Sequence, residues 1–413
     1  MNKKNIFLWT LYDFANSIVE VVFFLYCAQW LVIDKGVSDF WFNMIFVGGT
    51  ILLIFTAPIF GILSDRRGVQ MPYLRGITWL TFLSFLGSAI VMLFLSNKVV
   101  LAAIFFLLVN YFYQFSFTFY NALLAKIAPP ERQGFVSGIG QAGNWTGQIV
   151  GLLISIPFAT GAVYLFGEHG RAQTLLPVTI LFLLFALPLM YGFKERSVPI
   201  ENVHWNFWEE LSLSFKKFKK FCTYPSMGAF LLGYFFFNDA ILTAQNNFPI
   251  YIDRIFHIND TTKSLLLIGI LCTSAVGALV SGWATKKLGL RKTLLIVLGS
   301  WAIILPALAV MTSFTVFVAG CVLVGLLFGA VWTVTRVVMV RLTPEHEMNY
   351  GMSYYTLAER FATFVGPLSW GLITSLLVPT GEIRYRIALA VMGVFVLIGL
   401  LFVKKIKFDH DKS

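Results

Sequence analysis

Six ionisable side chains interrupt otherwise apolar stretches: Asp13, Glu20, Asp239, Arg336, Glu359 and Arg360. A charge at the centre of a helix in hydrocarbon costs about 2.5–3.5 kcal/mol on insertion scales, so it is kept there for a protein partner, a water-filled path or a bound solute. An unpaired buried carboxyl can bind and release a proton near neutral pH, which is the requirement for proton coupling. Glu20 and Asp239 suit that task best. At helical spacing Asp13, Asn16 and Glu20 share one face of the first apolar run. Asn110, Gln114, Phe117 and Asn121 form a second polar stripe, Asn238, Asp239, Leu242, Gln245 and Asn246 a third, and Trp332, Thr333 and Arg336 a fourth. Glu20, Asn110, Gln114, Asp239, Gln245 and Arg336 are therefore the expected substrate contacts. Asp13 sits only about 10 Å into its run at 1.5 Å per residue, the depth of a gate residue. Glu359 follows Tyr355 by four positions and neighbours Arg360; paired with Arg336 it would be structural and not a proton carrier. Both signs of charge together suit a zwitterion, although sugars, nucleosides and organic cations could use the same amides and aromatics.

The elements that must position these groups are membrane helices. Of 413 residues, 58% are hydrophobic and only 12% charged, which excludes a soluble domain. Apolar runs near 6–33, 41–63, 73–95, 99–123, 135–159 and 172–193, then 226–252, 263–284, 293–311, 314–340, 351–378 and 386–403, predict twelve spans as six plus six. The fold class is thus an all-α polytopic membrane protein with two pseudo-symmetric halves, residues 1–193 and 225–413, joined by a cytoplasmic linker over 194–224. In that linker Phe207, Leu211, Phe215, Phe218 and Cys222 recur at helical spacing beside Lys216, Lys217, Lys219 and Lys220, the pattern of an amphipathic helix on an anionic leaflet.

The net charge of +11 falls in short clusters between apolar runs, which points to a membrane face and away from nucleic acid. Lys3, Lys4, Arg66, Arg67, Arg75, Lys126, Arg132, the linker cations, Lys286 to Lys292 and the C-terminal lysines fall on one side of the twelve-span layout. Far fewer cations, among them Lys35, Lys98, Arg171, Arg254 and Lys263, fall on the other. The positive-inside rule then places both termini in the cytoplasm, with a bacterial inner membrane as the expected location. The four cysteines have no metal or redox spacing, the five histidines lie in expected loops or tails, and H-E-x-x-H is absent. The expectation is no enzyme, no cofactor and no metal. The expected partners are the bilayer, a small-molecule substrate and coupling protons, and the chain is expected to work as a monomer.

A repeat underlies the two halves. Gly61-Ile62-Leu63-Ser64-Asp65-Arg66-Arg67-Gly68 is echoed by Gly282-Trp283-Ala284-Thr285-Lys286-Lys287-Leu288-Gly289, with the glycines in register. Tyr12-Asp13 is echoed by Asn238-Asp239, and Ile127-Ala128-Pro129 by Leu342-Thr343-Pro344. Duplicated six-helix halves are a common architecture of alternating-access carriers.

The Gly61–Gly68 segment resembles the signature G-x-L-x-D-R-x-G of the major facilitator superfamily. LYDFANS (11–17), FYNALLAKIAPPERQGFVSG (119–138), YFFFNDAILT (234–243) and RLTPE (341–345) resemble the branch once labelled "unknown major facilitator", which includes the fungal vacuolar amino-acid effluxer. The resemblance implies a rocker-switch carrier in which spans 1, 4, 7 and 10 line a cavity. It also implies a latch at Asp65 and Arg66, with Lys286 replacing the acid in the second copy. The function it implies is secondary active transport of an amino-acid-like solute, to which the buried carboxylates add proton coupling; the alternative on the same fold is a lipid or hydrophobic-drug exporter.

Overall fold

Long apolar runs with no β-branched alternation leave the backbone one way to satisfy its hydrogen bonds in lipid, within each segment. In the computed structural model every regular element among the described residues is helical; these are residues 3–195, 207–224, 226–343, 354–355, 358–359 and 362–406, with backbone alone at 65, 66 and a few other helical positions. Helix α1 (Lys3–Val22) continues through two wider π-helical turns, Phe23–Cys27 and Trp30–Asp34. It is followed by α2 (Asp39–Arg66), α3 (Met71–Phe94), α4 (Val99–Ile127), α5 (Pro130–Ala159) and α6 (Leu175–Gly192). After α7 (Phe207–Cys222) come α8 (Met227–Phe256), α9 (Asp260–Leu288), α10 (Leu290–Val310), α11 (Phe314–Leu342), α12 (Val365–Leu376) and α13 (Ile383–Val403). Ten of these segments are long and apolar enough to cross a bilayer. Helix α5 is 30 residues long but diluted by glycines and amides, and α12 has 12 residues.

The chain forms two units: Met1–Phe207 with Asn259–Ser264, and Trp208–Ile258 with Leu265–Ser413. Within the first, α1 packs on α5 and α6, α3 on α4 and α6, and α2 on α4; within the second, α8 packs on α12 and α13, and α10 on α11 and α13. The repeat is visible in backbone conformation. Gly68 and Gly289 close the α2–α3 and α9–α10 turns at φ 63° and 86°, the left-handed side of backbone space where a Cβ is strained.

Helices come close where the sequence is smallest. Gly143, Gly147 and Gly151 of α5 lie on the Thr10, Phe14 and Ile18 carbonyls of α1, and Gly325 and Gly329 of α11 lie on the Ile270 and Ser274 carbonyls of α9. This is the small-xxx-small packing that the glycine spacing predicts.

The structure departs from the predicted spans in one respect that matters. Residues 351–378 read as one continuous run, yet Ala362, Thr363 and Phe364 are not helical and α12 begins afresh at Val365. Hydropathy does not register such a break, because the unwound residues are themselves small or apolar.

Candidate functional site

In the first unit, Glu20 and Asn110 come together in a narrow crevice with Phe23, Phe24, Phe85, Val109 and Tyr113. Glu20 is half-buried, and Asn110 is buried with its amide nitrogen against the backbone of Gly49 in α2. Helix α4 is fixed to α1 by a reciprocal pair in which Trp9 Nε1 donates to the Tyr120 carbonyl at 3.2 Å and Tyr120 Oη donates to the Trp9 carbonyl at 3.1 Å. The two rings stack at 4.7 Å. Tyr12 Oη meets Thr78 Oγ1 at 2.7 Å and ties α1 to α3. Gln114 is half-buried on the same α4 helix.

Asp13 is buried and accepts a hydrogen bond from Asn144 Nδ2 at 3.3 Å; Gln148 Nε2 donates to Asn144 Oδ1 at 2.8 Å. The α5 amides form a relay ending on that carboxylate.

In the second unit the corresponding carboxylate is Asp239. It lies 226 residues beyond Asp13, and Gly366, which abuts Asp239, lies the same 226 beyond Gly140, which abuts Asp13. Each aspartate therefore faces the fifth span of its own unit. The surroundings differ: α5 runs unbroken past Gly140, whereas Gly366 is in the first turn of α12, and its N–H donates to Asp239 Oδ2 at 2.6 Å. Asp239 caps a helix that has no cap from its own Phe364. Asn238 Nδ2 donates to the Glu359 carbonyl at 3.3 Å, tying α8 to the other side of the break. Arg336 and Glu359 both lie within electrostatic reach of Tyr355, whose hydroxyl meets Thr335 Oγ1 at 3.0 Å. Gln245 is exposed. The side chains of Asp65 and Arg66 lie outside the described residues, as does Arg360.

At the turn that follows the signature segment, the structure shows a group that motif reading passes over. Glu195, just beyond α6, accepts the backbone N–H groups of Gln70 and Met71 at 2.7 and 2.8 Å. Lys126 Nζ bonds Glu195 Oε1 at 2.5 Å and the Gly68 carbonyl at 2.8 Å. A carboxylate at the start of α3 offsets the helix dipole there.

A second constellation was read from sequence as topology charges alone, and the structure corrects this. Lys263 is fully buried, bonding Gln29 Oε1 at 2.5 Å and Asp260 Oδ1 at 3.2 Å. Arg171 grips Asp260 with two bonds, Nε to Oδ2 at 2.7 Å and Nη2 to Oδ1 at 2.9 Å, and reaches Asp34 Oδ1 at 2.6 Å. Tyr26 Oη meets Ser264 Oγ at 2.5 Å. All of these residues belong to the first unit. Their burial follows from packing between segments more than 200 positions apart in the chain, such as Gln29 and Lys263, which no local pattern encodes.

Beside this cluster Glu168 accepts from Trp30 Nε1 at 3.1 Å and pairs with Lys35 at 2.8 Å. Burial pushes its carboxyl upward, but hydrogen bonds led by Lys35 prevail and hold it below its ordinary 4.5. A depressed folded-state value stabilises the fold above the unfolded pKa, and that contribution is lost as pH falls through the folded value. Thermal melts of the wild type and Glu168→Gln across an acid pH series should therefore differ near neutrality and converge as the carboxylate titrates; a constant difference would contradict the linkage.

Comparisons with known proteins agree with the fold. Residues 230–412 match the family model described as Major Facilitator Superfamily. The chain is 23% identical over 420 residues to YxiO, an MFS-type transporter of Bacillus subtilis (strain 168), covering 94% of this chain and 91% of that one. A bacterial homolog of the human lysosomal transporter Spinster, in an inward-facing and unoccupied conformation, superposes with a TM-score of 0.75 at 15% identity, over 98% of this chain and 97% of that one. A D-xylose–proton symporter superposes with a TM-score of 0.70 at 15% identity, over 99% of each chain. With the helical architecture and the repeat, the superpositions show the fold shared with these carriers, and the family model matches the C-terminal half of the chain.

Proposed function

We propose that the protein moves a small zwitterionic, amino-acid-like solute across the membrane by alternating access coupled to protons. The observation that carries this reading is the Glu20–Asn110 crevice, a carboxylate and an amide held together among aromatic rings inside an apolar helix bundle. A half-buried carboxylate can bind an ammonium group or a proton but not both at once, which is the competition a coupled carrier needs. Arg336, half-buried on α11, supplies the opposite sign for a substrate carboxylate. Gln114, Asp239 and Gln245 complete the proposed contacts, with Asp13, Asp65 and Arg66 as gate groups.

In this proposal the moving bodies are the two six-helix halves, with the 194–224 segment as their cytoplasmic tether and both termini in the cytoplasm of a bacterial inner-membrane protein. The resemblance to the amino-acid effluxer branch supports the same substrate class.

The test is counterflow in proteoliposomes with a labelled amino-acid panel at two pH values, for the wild type and Glu20→Gln. Uptake of at least one amino acid, with pH dependence lost in Glu20→Gln, is the expected result. Transport of no amino acid would defeat the substrate class, and hydrophobic-dye export in its place would favour the exporter reading.

A further inference from the structure

One of the two carboxylate oxygens of Asp239 is left without a hydrogen bond. Oδ2 accepts the Gly366 N–H, while Oδ1 is buried and has no hydrogen-bond partner. Thr243, one turn along α8, is likewise fully buried, and its Oγ1 has no partner. Both orphan oxygens converge on one place, because a Cβ built on Gly366 would collide with Thr243 Oγ1 and stand 2.9 Å from Asp239 Oδ1. A buried carboxylate oxygen left without a donor is costly, and a proton bound at Oδ1 relieves that cost by turning the oxygen into an O–H.

We propose that Asp239 Oδ1 and Thr243 Oγ1 form a proton-binding site whose occupancy controls the cap on α12, and so the break in the eleventh span. The proposal deepens the proton-coupled transport reading and rests on it. In the ionised state Asp239 is an acceptor only and holds the start of α12, where the positive end of the helix dipole meets a full negative charge. Protonation transfers H⁺ from hydronium to Oδ1, leaving water and forming an O–H on the side of the carboxyl that faces Thr243. The carboxyl is then neutral, its bond from Gly366 loses its charge assistance, and α12 is free to fray or move from its first turn.

The backbone facing Asp239 is the start of α12, whose Gly366 N–H it accepts. Ionisable side chains on the elements around it are Glu359 before the break, Arg336 on α11, Tyr355 between them, Tyr234 on its own helix, and Tyr385 at the start of α13. Proton occupancy at Asp239 is tied to the backbone of α12 through the Gly366 N–H.

The test is hydrogen exchange by mass spectrometry on the full-length protein in nanodiscs across a pH series, corrected for intrinsic exchange rates. For the wild type, protection of the peptide covering Val365–Leu368 should fall about tenfold or more as pH is lowered, because one charge-assisted bond is lost. In Asp239→Asn the same peptide should exchange at the fast, low-pH level at every pH. Thr243→Val, which keeps the shape and removes the hydroxyl, should keep the switch but shift its midpoint; an unmoved midpoint would remove Thr243 from the site. A carbonyl stretch of a protonated carboxylic acid, seen by infrared difference spectroscopy in the wild type and missing in Asp239→Asn, is the second expected signature. Wild-type protection that does not change with pH, or a switch that persists in Asp239→Asn, would overturn the site. A switch that behaves as expected in a protein that transports no amino acid in counterflow would leave the site standing and remove only the substrate reading.

Discussion

Arg171→Met should destabilise the first unit by about 3 kcal/mol, measured by reversible denaturation in detergent, because it strands two carboxylates that share one guanidinium. Asp260 loses a two-bond grip and is left with the buried Lys263 as its remaining cation, and Asp34 loses its contact with Nη1. The penalty comes from leaving the largely buried Asp260 carboxylate with one cation where it had two, more than from the lost bonds themselves. Adding Asp260→Asn to Arg171→Met should therefore recover part of the loss, and the double-mutant cycle should show a coupling of about 1 kcal/mol or more. Since the pair is shielded from solvent, the effect should persist in high salt. Additive losses, or a loss that salt abolishes, would show an ordinary surface ion pair.

Gly147→Val should cost about 3 kcal/mol or prevent assembly of the first unit, since an added Cβ would run into the Phe14 carbonyl and Ser17. Backbone cannot yield as a side chain does, so α1 and α5 would have to separate along the face that carries Asp13 and Asn144. The control is Gly299→Ala in α10, where nothing stands within 4 Å of the new methyl. There the lower backbone entropy of the unfolded chain should leave stability unchanged or improved by about 0.5–1 kcal/mol. Equal responses at the two sites in a denaturation titration would refute the role of close backbone approach.

Much of this architecture was legible from composition and spacing. Apolar runs of span length appear as helices, because lipid offers the backbone no other partner. The Gly68 and Gly289 turns were legible as a repeat, and the glycine stripe of α5 was legible as packing, since each depends on local residue size. The expected site was legible in part. Glu20 and Asn110, read separately as members of two stripes, do share a crevice. The Asp13–Asn144 contact was not legible, because it joins residues 131 positions apart on different helices. Glu195 carried no motif, and its partners Gln70, Met71 and Lys126 lie at least 69 positions away.

By itself the sequence determined the solvent, the helical class, the duplication and the identity of the few charges kept inside apolar helices, since each is a property of composition or of period along one segment. Only the tertiary structure decided what those charges do. It joined Lys263 to Gln29, gave Asp239 to the start of α12 and placed the break at Ala362–Phe364, because each depends on which distant backbone groups are left without partners once the helices pack. The two aspartates share a register in the repeat but not an environment. An unbroken α5 has no free N–H groups to offer Asp13, while the interrupted eleventh span presents them to Asp239.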